Sequence, residues 1–195
     1  MGKIYYLMGK SASGKDTLYQ KIQKSCPWLK TITLYTTRPI REGEVPGKTY
    51  HYVDDAVLDR YERDGKVIEL RAYQTVHGIW KYATIDDGQV DLTKDDYLVI
   101  GTLESYNNMK AYYGTGNLVP LYIEVEDGER LTRALQREKC QDIPKYAEMC
   151  RRFLADNEDF SEEHLQKSGI TIRYSNDDID QCLKSVTEVI NYGRI

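Results

Sequence analysis

Apolar positions recur along the chain with two different periods. Short apolar runs that predict strands cover Ile4 to Met8, Tyr97 to Gly101, Pro120 to Glu124 and Ile170 to Tyr174. Three- and four-residue spacing predicts helices over Lys15 to Lys24, Leu103 to Tyr113, Glu129 to Lys139 and Ile179 to Tyr192. Strands and helices that alternate in this way predict a three-layer α/β fold, in which helices cover both faces of a parallel sheet.

Two segments interrupt this alternation. The first holds short strand patterns at Thr49 to Val53, Val67 to Tyr73 and Ile79 to Thr84, with one helix pattern near Asp55 to Asp64. We interpret it as an inserted antiparallel subdomain. In the second segment, Lys139, Asp142 and Pro144 break the helical pattern, which predicts a mobile lid. One domain is therefore expected, with its core at 1–34, 96–136 and 153–195, an insertion at 35–95 and a lid at 137–152.

Composition narrows the possible functions. The 195 residues carry a net charge of only −4, so no positive field covers the surface and nucleic acid is not an expected partner. The apolar run at Ile4 to Met8 is too short for a signal peptide or a membrane span. The cysteines form no C-x-x-C pair, which argues against zinc and fits reduced thiols in the cytoplasm: Cys26, Cys140, Cys150 and Cys182.

The clearest motif is G-x-x-x-x-G-K at Gly9 to Lys15, between a predicted strand and a predicted helix. Such a loop surrounds phosphate oxygens with backbone N–H groups, while its lysine reaches the terminal phosphates. The motif predicts ATP binding by Gly9, Ser11, Ala12, Ser13, Gly14, Lys15, Asp16 and Thr17.

The residue after the motif lysine is usually Ser or Thr, which binds Mg²⁺, and here it is Asp16. Asp16 or the following Thr17 could bind the metal. Alternatively, Asp16 only interacts favourably with the helix dipole.

Two features concern a second substrate. Arg38 and Arg41 lie three residues apart in a stretch stiffened by Pro39, which suits bidentate binding of a phosphate but is also compatible with a solvated basic turn. Glu69, in a predicted strand, could accept two N–H donors from a guanine edge, or it could be an exposed strand glutamate.

Together these motifs resemble the guanylate kinase family. The similarity covers the phosphate loop, T-T-R-x-x-R-x-G-E at Thr36 to Glu44, the following Tyr50, and Glu69 in the next strand. It continues more weakly through His77-Gly78 with Tyr82-Ala83-Thr84, and through Asn176-Asp177-Asp178, so that it spans most of the chain.

The resemblance implies a P-loop NTPase core with a nucleoside monophosphate-binding insertion and a lid. It implies the reaction of ATP with GMP to give ADP and GDP, with Mg²⁺ on the ATP phosphates, in purine nucleotide metabolism. A cytoplasmic monomer or homodimer is expected. The implied acceptor contacts are Arg38, Arg41, Tyr50 and Tyr82 on phosphate, with Glu69 and Thr84 on guanine. The implied catalytic residues are Lys15, Arg38, Arg137 and Arg151.

Departures from the family's pattern keep alternatives open. The family's aspartate pair is absent from Leu98 to Glu104, and either Glu104 or Asp16 could compensate for it. Tyr35 replaces an expected serine, and it either alters the phosphate contacts or packs in the interior. Gly14-Lys15-Asp16 and Val99-Ile100-Gly101-Thr102 resemble the ribose 1,5-bisphosphate phosphokinase group, which would take a sugar phosphate. Non-catalytic guanylate-kinase-like modules, which bind phosphorylated peptides, are a further alternative.

Overall fold

A computed structural model describes residues 1–41, 43–75 and 78–193. Glu42, and with it part of the Thr36 to Glu44 run, lies outside the described residues, as does His77 of the predicted His77-Gly78 motif. The strands are β1 Ile4–Met8, β2 Lys30–Thr31, β3 Tyr35–Thr36, β4 His51–Tyr52, β5 Val67–Thr75, β6 Gly78–Ile85, β7 Tyr97–Ile100, β8 Leu118–Glu124 and β9 Arg173–Ser175. The helices are α1 Lys15–Ser25, α2 Asp55–Arg63, α3 Leu103–Tyr113, α4 Asp127–Lys139, α5 Tyr146–Asp159, α6 Glu162–Lys167 and α7 Ile179–Tyr192.

The core is a parallel five-stranded sheet in the order β2-β7-β1-β8-β9. Every residue of the central strand β1 is buried, because its side chains alternate between two apolar layers. Tyr6 packs with residues of α3 and α6, whereas Leu7 packs with residues of α1 and α7. The predicted three-layer α/β core is confirmed.

The insertion contains a second sheet in the order β4-β3-β6-β5. Strands β3, β6 and β5 are antiparallel neighbours, but β3 and β4 are parallel, with Tyr35 opposite His51. The antiparallel arrangement expected from the sequence is therefore confirmed for β5 and β6. It is wrong for β4, because the connection from β3 brings β4 alongside β3 in the same direction. A small apolar cluster closes this sheet against α2 through Tyr35, Leu58, Ala83 and Ile85.

Several element boundaries differ from those expected by one to three residues. The last strand begins at Arg173 and not at Ile170, which is buried in the core after a glycine, Gly169, with φ of 74°. The predicted lid segment 137–152 comprises the last turn of α4, a connection and the first two turns of α5. Among the described residues, no helix combines the length and the apolar character that crossing a bilayer requires.

Candidate active site

The phosphate loop connects β1 to α1 and ends at Gly14, which caps the helix with φ of 81°. Its glycines are required by close packing as well as by conformation. A Cβ atom on Gly9 would lie 2.5 Å from the carbonyl oxygen of Ile123, and one on Gly14 would lie 2.5 Å from Nδ2 of Asn176. The loop is therefore held against β8 and the segment after β9 at distances that only glycine permits.

Ala12, within the loop, has φ of 62°, in the left-handed region. An L-residue in this conformation costs about 1–2 kcal/mol, so the surrounding contacts maintain the loop against local strain. Lys15 is half-buried, and Asp16 and Thr17 are exposed on the first turn of α1. The predicted nucleotide-binding residues thus form one continuous turn at a helix N-terminus, the arrangement that favours anions.

A buried arginine, which the motif search did not identify, supports this loop. Arg130 is 1% exposed and donates to the carbonyl oxygen of Ser11 at 3.1 Å, to Oδ1 of Asp127 at 2.7 Å and to Oδ1 of Asn157 at 3.2 Å. The Ser11 N–H donates to Oδ2 of Asp156 at 2.7 Å. The loop is therefore tied to both α4 and α5. Only the spacing of Asp127 and Arg130 along a helix hinted at this from the sequence.

In the acceptor loop, Arg38 is buried and paired with Glu44. Arg38 Nη1 donates to Glu44 Oε2 at 2.8 Å, and Nη2 forms a close ion pair with Oε1. Glu44 also accepts from the Tyr52 hydroxyl at 2.7 Å and from the Arg41 N–H at 2.8 Å. The hydrogen bond from Arg38, reinforced by Tyr52, lowers the pKa of Glu44 to about 2. Glu44, which the sequence did not single out as functional, therefore organises this loop.

A cleft of about 1140 Å³ lies next to this loop, and three predicted acceptor residues line it: Arg41, Tyr50 and Tyr82. The ring centroids of Tyr50 and Tyr82 are 5.7 Å apart, and Arg41 lies over the ring of Trp80 at 5.9 Å. The guanidinium carbon of Arg38 lies over the Tyr50 ring, 5.2 Å from its centroid. Tyr50 lines the cleft and Arg38 does not, so the Arg38 charge is separated from the cleft by this ring.

The start of α5 forms the opposite wall of the cleft, through Lys145, Glu148, Arg151 and Arg152. Glu148 accepts from Nε of Arg151 at 2.7 Å and from Nε of Arg152 at 2.9 Å. Hydrogen bonding from Arg151 lowers the pKa of Glu148 to about 2. This wall keeps a net positive charge, since one carboxylate faces three cations.

A second cavity, of about 420 Å³, borders Ser11 of the phosphate loop and lies beside the acceptor cleft. It is lined by Ser11, Arg41, Trp80, Arg130 and Arg137, among others, and shares Arg41 and Trp80 with the larger cleft. The predicted catalytic residues Arg137 and Arg151 therefore line two neighbouring cavities, Arg137 the smaller one and Arg151 the larger cleft.

Glu69 lies deeper than the sequence suggested. It follows a β-bulge in β5, pairs with Thr84 of β6, and is 3% exposed. Its Oε1 accepts from Thr84 Oγ1 at 3.0 Å and from Ser105 Oγ at 2.8 Å. The predicted pair Glu69 and Thr84 is therefore brought together, but the alternative of an exposed strand glutamate is wrong. Ser105 was not anticipated, because it lies 36 residues away in α3.

Gly101, which lies within the segment where the family's aspartate pair is missing, has no room for a side chain. A Cβ atom there would lie 2.0 Å from the hydroxyl oxygen of Tyr6. Burial raises the pKa of Tyr6, so the hydroxyl that fills this space stays protonated. Glu104 is exposed, and its neighbour Ser105 makes the contact with Glu69.

Tyr35, which replaces the expected serine, packs in the insertion. It is buried, its ring centroid lies 4.6 Å from that of His51, and its hydroxyl donates to Oδ2 of Asp87 at 2.7 Å. Of the two roles considered for this position, packing is the one that the structure supports.

The guanylate kinase family model matches residues 1–192. The chain belongs to the guanylate kinase family. One curated relative is the guanylate kinase of Leifsonia xyli subsp. xyli, which is 36% identical over 101 residues, or 48% of this chain and 39% of the relative. Another is the guanylate kinase of Tropheryma whipplei (strain Twist), which is 38% identical over 76 residues, or 39% of this chain and 38% of the relative. These matches span about two fifths of the curated relatives' length.

The fold agrees with this family. The crystal structure of guanylate kinase from Anaplasma phagocytophilum superposes with a TM-score of 0.70, at 18% sequence identity, over 100% of this chain and 87% of that one. At that identity the match supports the fold alone. The predicted fold, a P-loop core with a parallel sheet, is therefore confirmed.

Proposed function

We propose that this protein transfers the terminal phosphoryl group of ATP to a nucleoside monophosphate, with GMP as the acceptor. The observation that carries the proposal is the connection between the two sites: the cavity that borders Ser11 of the phosphate loop shares Arg41 and Trp80 with the acceptor cleft. Two anionic substrates bound in these spaces would meet between arginines, which is what phosphoryl transfer requires.

On the ATP side, the proposed binding residues are Gly9, Ser11, Ala12, Ser13, Gly14, Lys15, Asp16 and Thr17. Backbone N–H groups of this loop and of the first turn of α1 would bind the phosphates, and the N–H of Ser11 would exchange its present partner, Asp156, for a phosphate oxygen. Asp16 and Thr17 would hold Mg²⁺, which binds through one or two protein oxygens together with substrate phosphates and water. The exposed carboxylate and hydroxyl fit that donor set. The metal would neutralise charge on the phosphates during transfer.

On the acceptor side, Arg41, Tyr50 and Tyr82 would bind the phosphate of GMP, with Arg38 behind them. Glu69 and Thr84, which are buried behind the residues that line the cleft, would act at its guanine end. Lys15, Arg137 and Arg151 would surround the transferring group, where positive charge stabilises the equatorial oxygens. Closure of residues 137–152 over the insertion 35–95 would exclude water and limit hydrolysis of ATP.

Relatives named guanylate kinase favour a nucleotide acceptor over a sugar phosphate. The loop lysine, Lys15, is present, which supports catalysis over a peptide-binding role. Neither alternative has a structural observation in its favour.

The test is Mg²⁺-dependent ADP formation with GMP, dGMP, AMP, UMP, CMP and ribose 1,5-bisphosphate as acceptors. We expect turnover with GMP, and Lys15→Ala should lower kcat by about 10²–10³-fold, since it removes a charge from the transferring phosphoryl. Lys21→Ala is the matched control on the same helix, because Lys21 pairs with Asp180 at the surface. Turnover of ribose 1,5-bisphosphate alone, or of none of the acceptors, would refute the proposal.

A further inference from the structure

Arg71 is a charged residue at the end of the acceptor cleft where Glu69 lies. Arg71 lines the cleft, and its side chain is 11% exposed, whereas the side chain of Glu69 is 0% exposed. Arg71 Nε lies 2.9 Å from Glu69 Oε2, and Nη2 donates to Oε1 at 3.2 Å. Glu69 thus lies behind the guanidinium, and a ligand in the cleft would meet Arg71 first.

Glu69 determines the orientation of the Arg71 side chain. Glu69 is itself fixed by Thr84 and Ser105. It accepts a hydrogen bond from Nη2 of Arg71, and its Oε2 forms an ion pair with Nε that lacks hydrogen-bond geometry. The Nη1 end contacts only uncharged hydroxyl groups, at 3.2 Å to Thr102 Oγ1 and 3.4 Å to the Tyr73 hydroxyl. The first distance is at the upper end of the usual range for an N–H···O hydrogen bond and the second is beyond it. A ligand with two adjacent acceptor atoms can therefore compete for the terminal N–H groups of Arg71.

We propose that Arg71 is the residue that selects the base, that it donates to O6 and N7 of a 6-oxopurine, and that Glu69 is its positioning residue. The inference rests on the proposed kinase function. The arginine fork matches the O6 and N7 acceptors of guanine, and the bidentate pair is the commonest specific contact between arginine and a base. Adenine carries an amino donor in place of O6, which would face the donors of Arg71 and be rejected.

This arrangement makes a prediction about substrates that differs from recognition by Glu69. A carboxylate that accepts from N1–H and the 2-amino group of guanine requires that amino group. Arg71 uses only O6 and N7, which inosine monophosphate shares with GMP. The acceptor class is therefore 6-oxopurine monophosphates, and the 2-amino group is dispensable.

Acceptor analogues test this on the unaltered protein. We expect kcat/KM for inosine monophosphate within about tenfold of that for GMP, and values at least about tenfold lower for AMP and for 7-deaza-GMP, which lacks N7. A loss of about 100-fold or more with inosine monophosphate, or equal use of AMP, would overturn the inference.

Substitution gives an independent measurement. Arg71→Gln alone leaves the buried Glu69 carboxylate unpaired and can impair folding, so the double variant Arg71→Gln/Glu69→Gln, which removes both charges, is measured beside it. In each folded variant we expect KM for GMP to rise about 10–100-fold with little change in kcat, and the preference for GMP over AMP to fall. Arg63→Gln, which changes an exposed arginine of α2, is the control.

Two failures can be distinguished. If the unaltered protein neither binds nor phosphorylates GMP, the proposed function fails and the inference fails with it. If it phosphorylates GMP, but the double variant keeps its KM for GMP and its preference over AMP, only the role of Arg71 is refuted.

Discussion

Gly14→Ala tests whether the phosphate loop is held by close packing. Gly14 has φ of +81°, and an added Cβ would lie 2.5 Å from Nδ2 of Asn176. That amide donates to the carbonyl oxygen of Ser13 at 2.7 Å, and Asn176 is 3% exposed. The substitution therefore imposes a left-handed alanine and displaces a buried hydrogen-bond donor.

The two effects have separate magnitudes. An L-residue at this φ costs about 1–2 kcal/mol. Leaving a buried donor or acceptor without its partner costs about 1–3 kcal/mol. We expect Gly14→Ala to lower the free energy of unfolding by about 2–5 kcal/mol, and to weaken ATP binding because the N–H groups of the loop move.

Gly65→Ala is the matched control. Gly65 has φ of +66°, and a Cβ there would meet nothing within 4 Å, so this variant should lose only about 1–2 kcal/mol. A further variant, Asn176→Ala, removes the side chain that obstructs the Cβ. In that background Gly14→Ala should cost about as much as Gly65→Ala, which makes the pair of substitutions non-additive.

The measurement is urea unfolding followed by circular dichroism for Gly14→Ala, Gly65→Ala, Asn176→Ala and the Gly14/Asn176 double variant. Equal losses for Gly14→Ala and Gly65→Ala, or additivity with Asn176→Ala, would show that the contact with Asn176 does not constrain the loop.

Two further predictions concern the acceptor side. The pKa of Glu44 is lowered to about 2 in the folded protein, so the stability contributed by its ionised form is complete above pH 4.5 and is lost as the pH falls toward 2. Glu44→Gln should therefore be less stable than the unaltered protein at pH 7 and nearly equal to it at pH 2, and a constant difference in urea midpoint across this range would contradict the assignment. Gly101→Ala should destabilise the protein because of the Tyr6 hydroxyl, and Tyr6→Phe, which removes that oxygen, should reduce the loss. Equal losses from Gly101→Ala in both backgrounds, measured by thermal unfolding, would exclude this contact as the cause.

Elements with strong local signals could be predicted from the sequence. The bounds of α3 and α7 agree with the spacing of their apolar residues, because each helix begins after a side chain that caps it: Thr102 accepts from the Ser105 N–H, and Asp178 accepts from the Asp180 and Gln181 N–H groups. The direction of β4 had no such signal, since it depends on the course of the connection from β3.

The site shows the same division. The glycine spacing of the phosphate loop is a local property, and the sequence was sufficient to locate it. Contacts between distant segments could not be found in this way. Tyr6 occupies the space beside Gly101, and Ser105 donates a hydrogen bond to Glu69. The position of Arg71 in the cleft could not be predicted from the sequence either. It depends on the β-bulge in β5, which alters the alternation of side chains along that strand.

Helix α5 has a consequence for how the two proposed substrates would interact. Its first turns carry Arg151 and Arg152 into the acceptor cleft, and its later turns carry Asp156 to the Ser11 N–H and Asn157 to Arg130. Any ligand that shifts this helix at one end changes the contacts at the other. Thermodynamic reciprocity then requires that the acceptor change the affinity for ATP by the same factor as ATP changes the affinity for the acceptor.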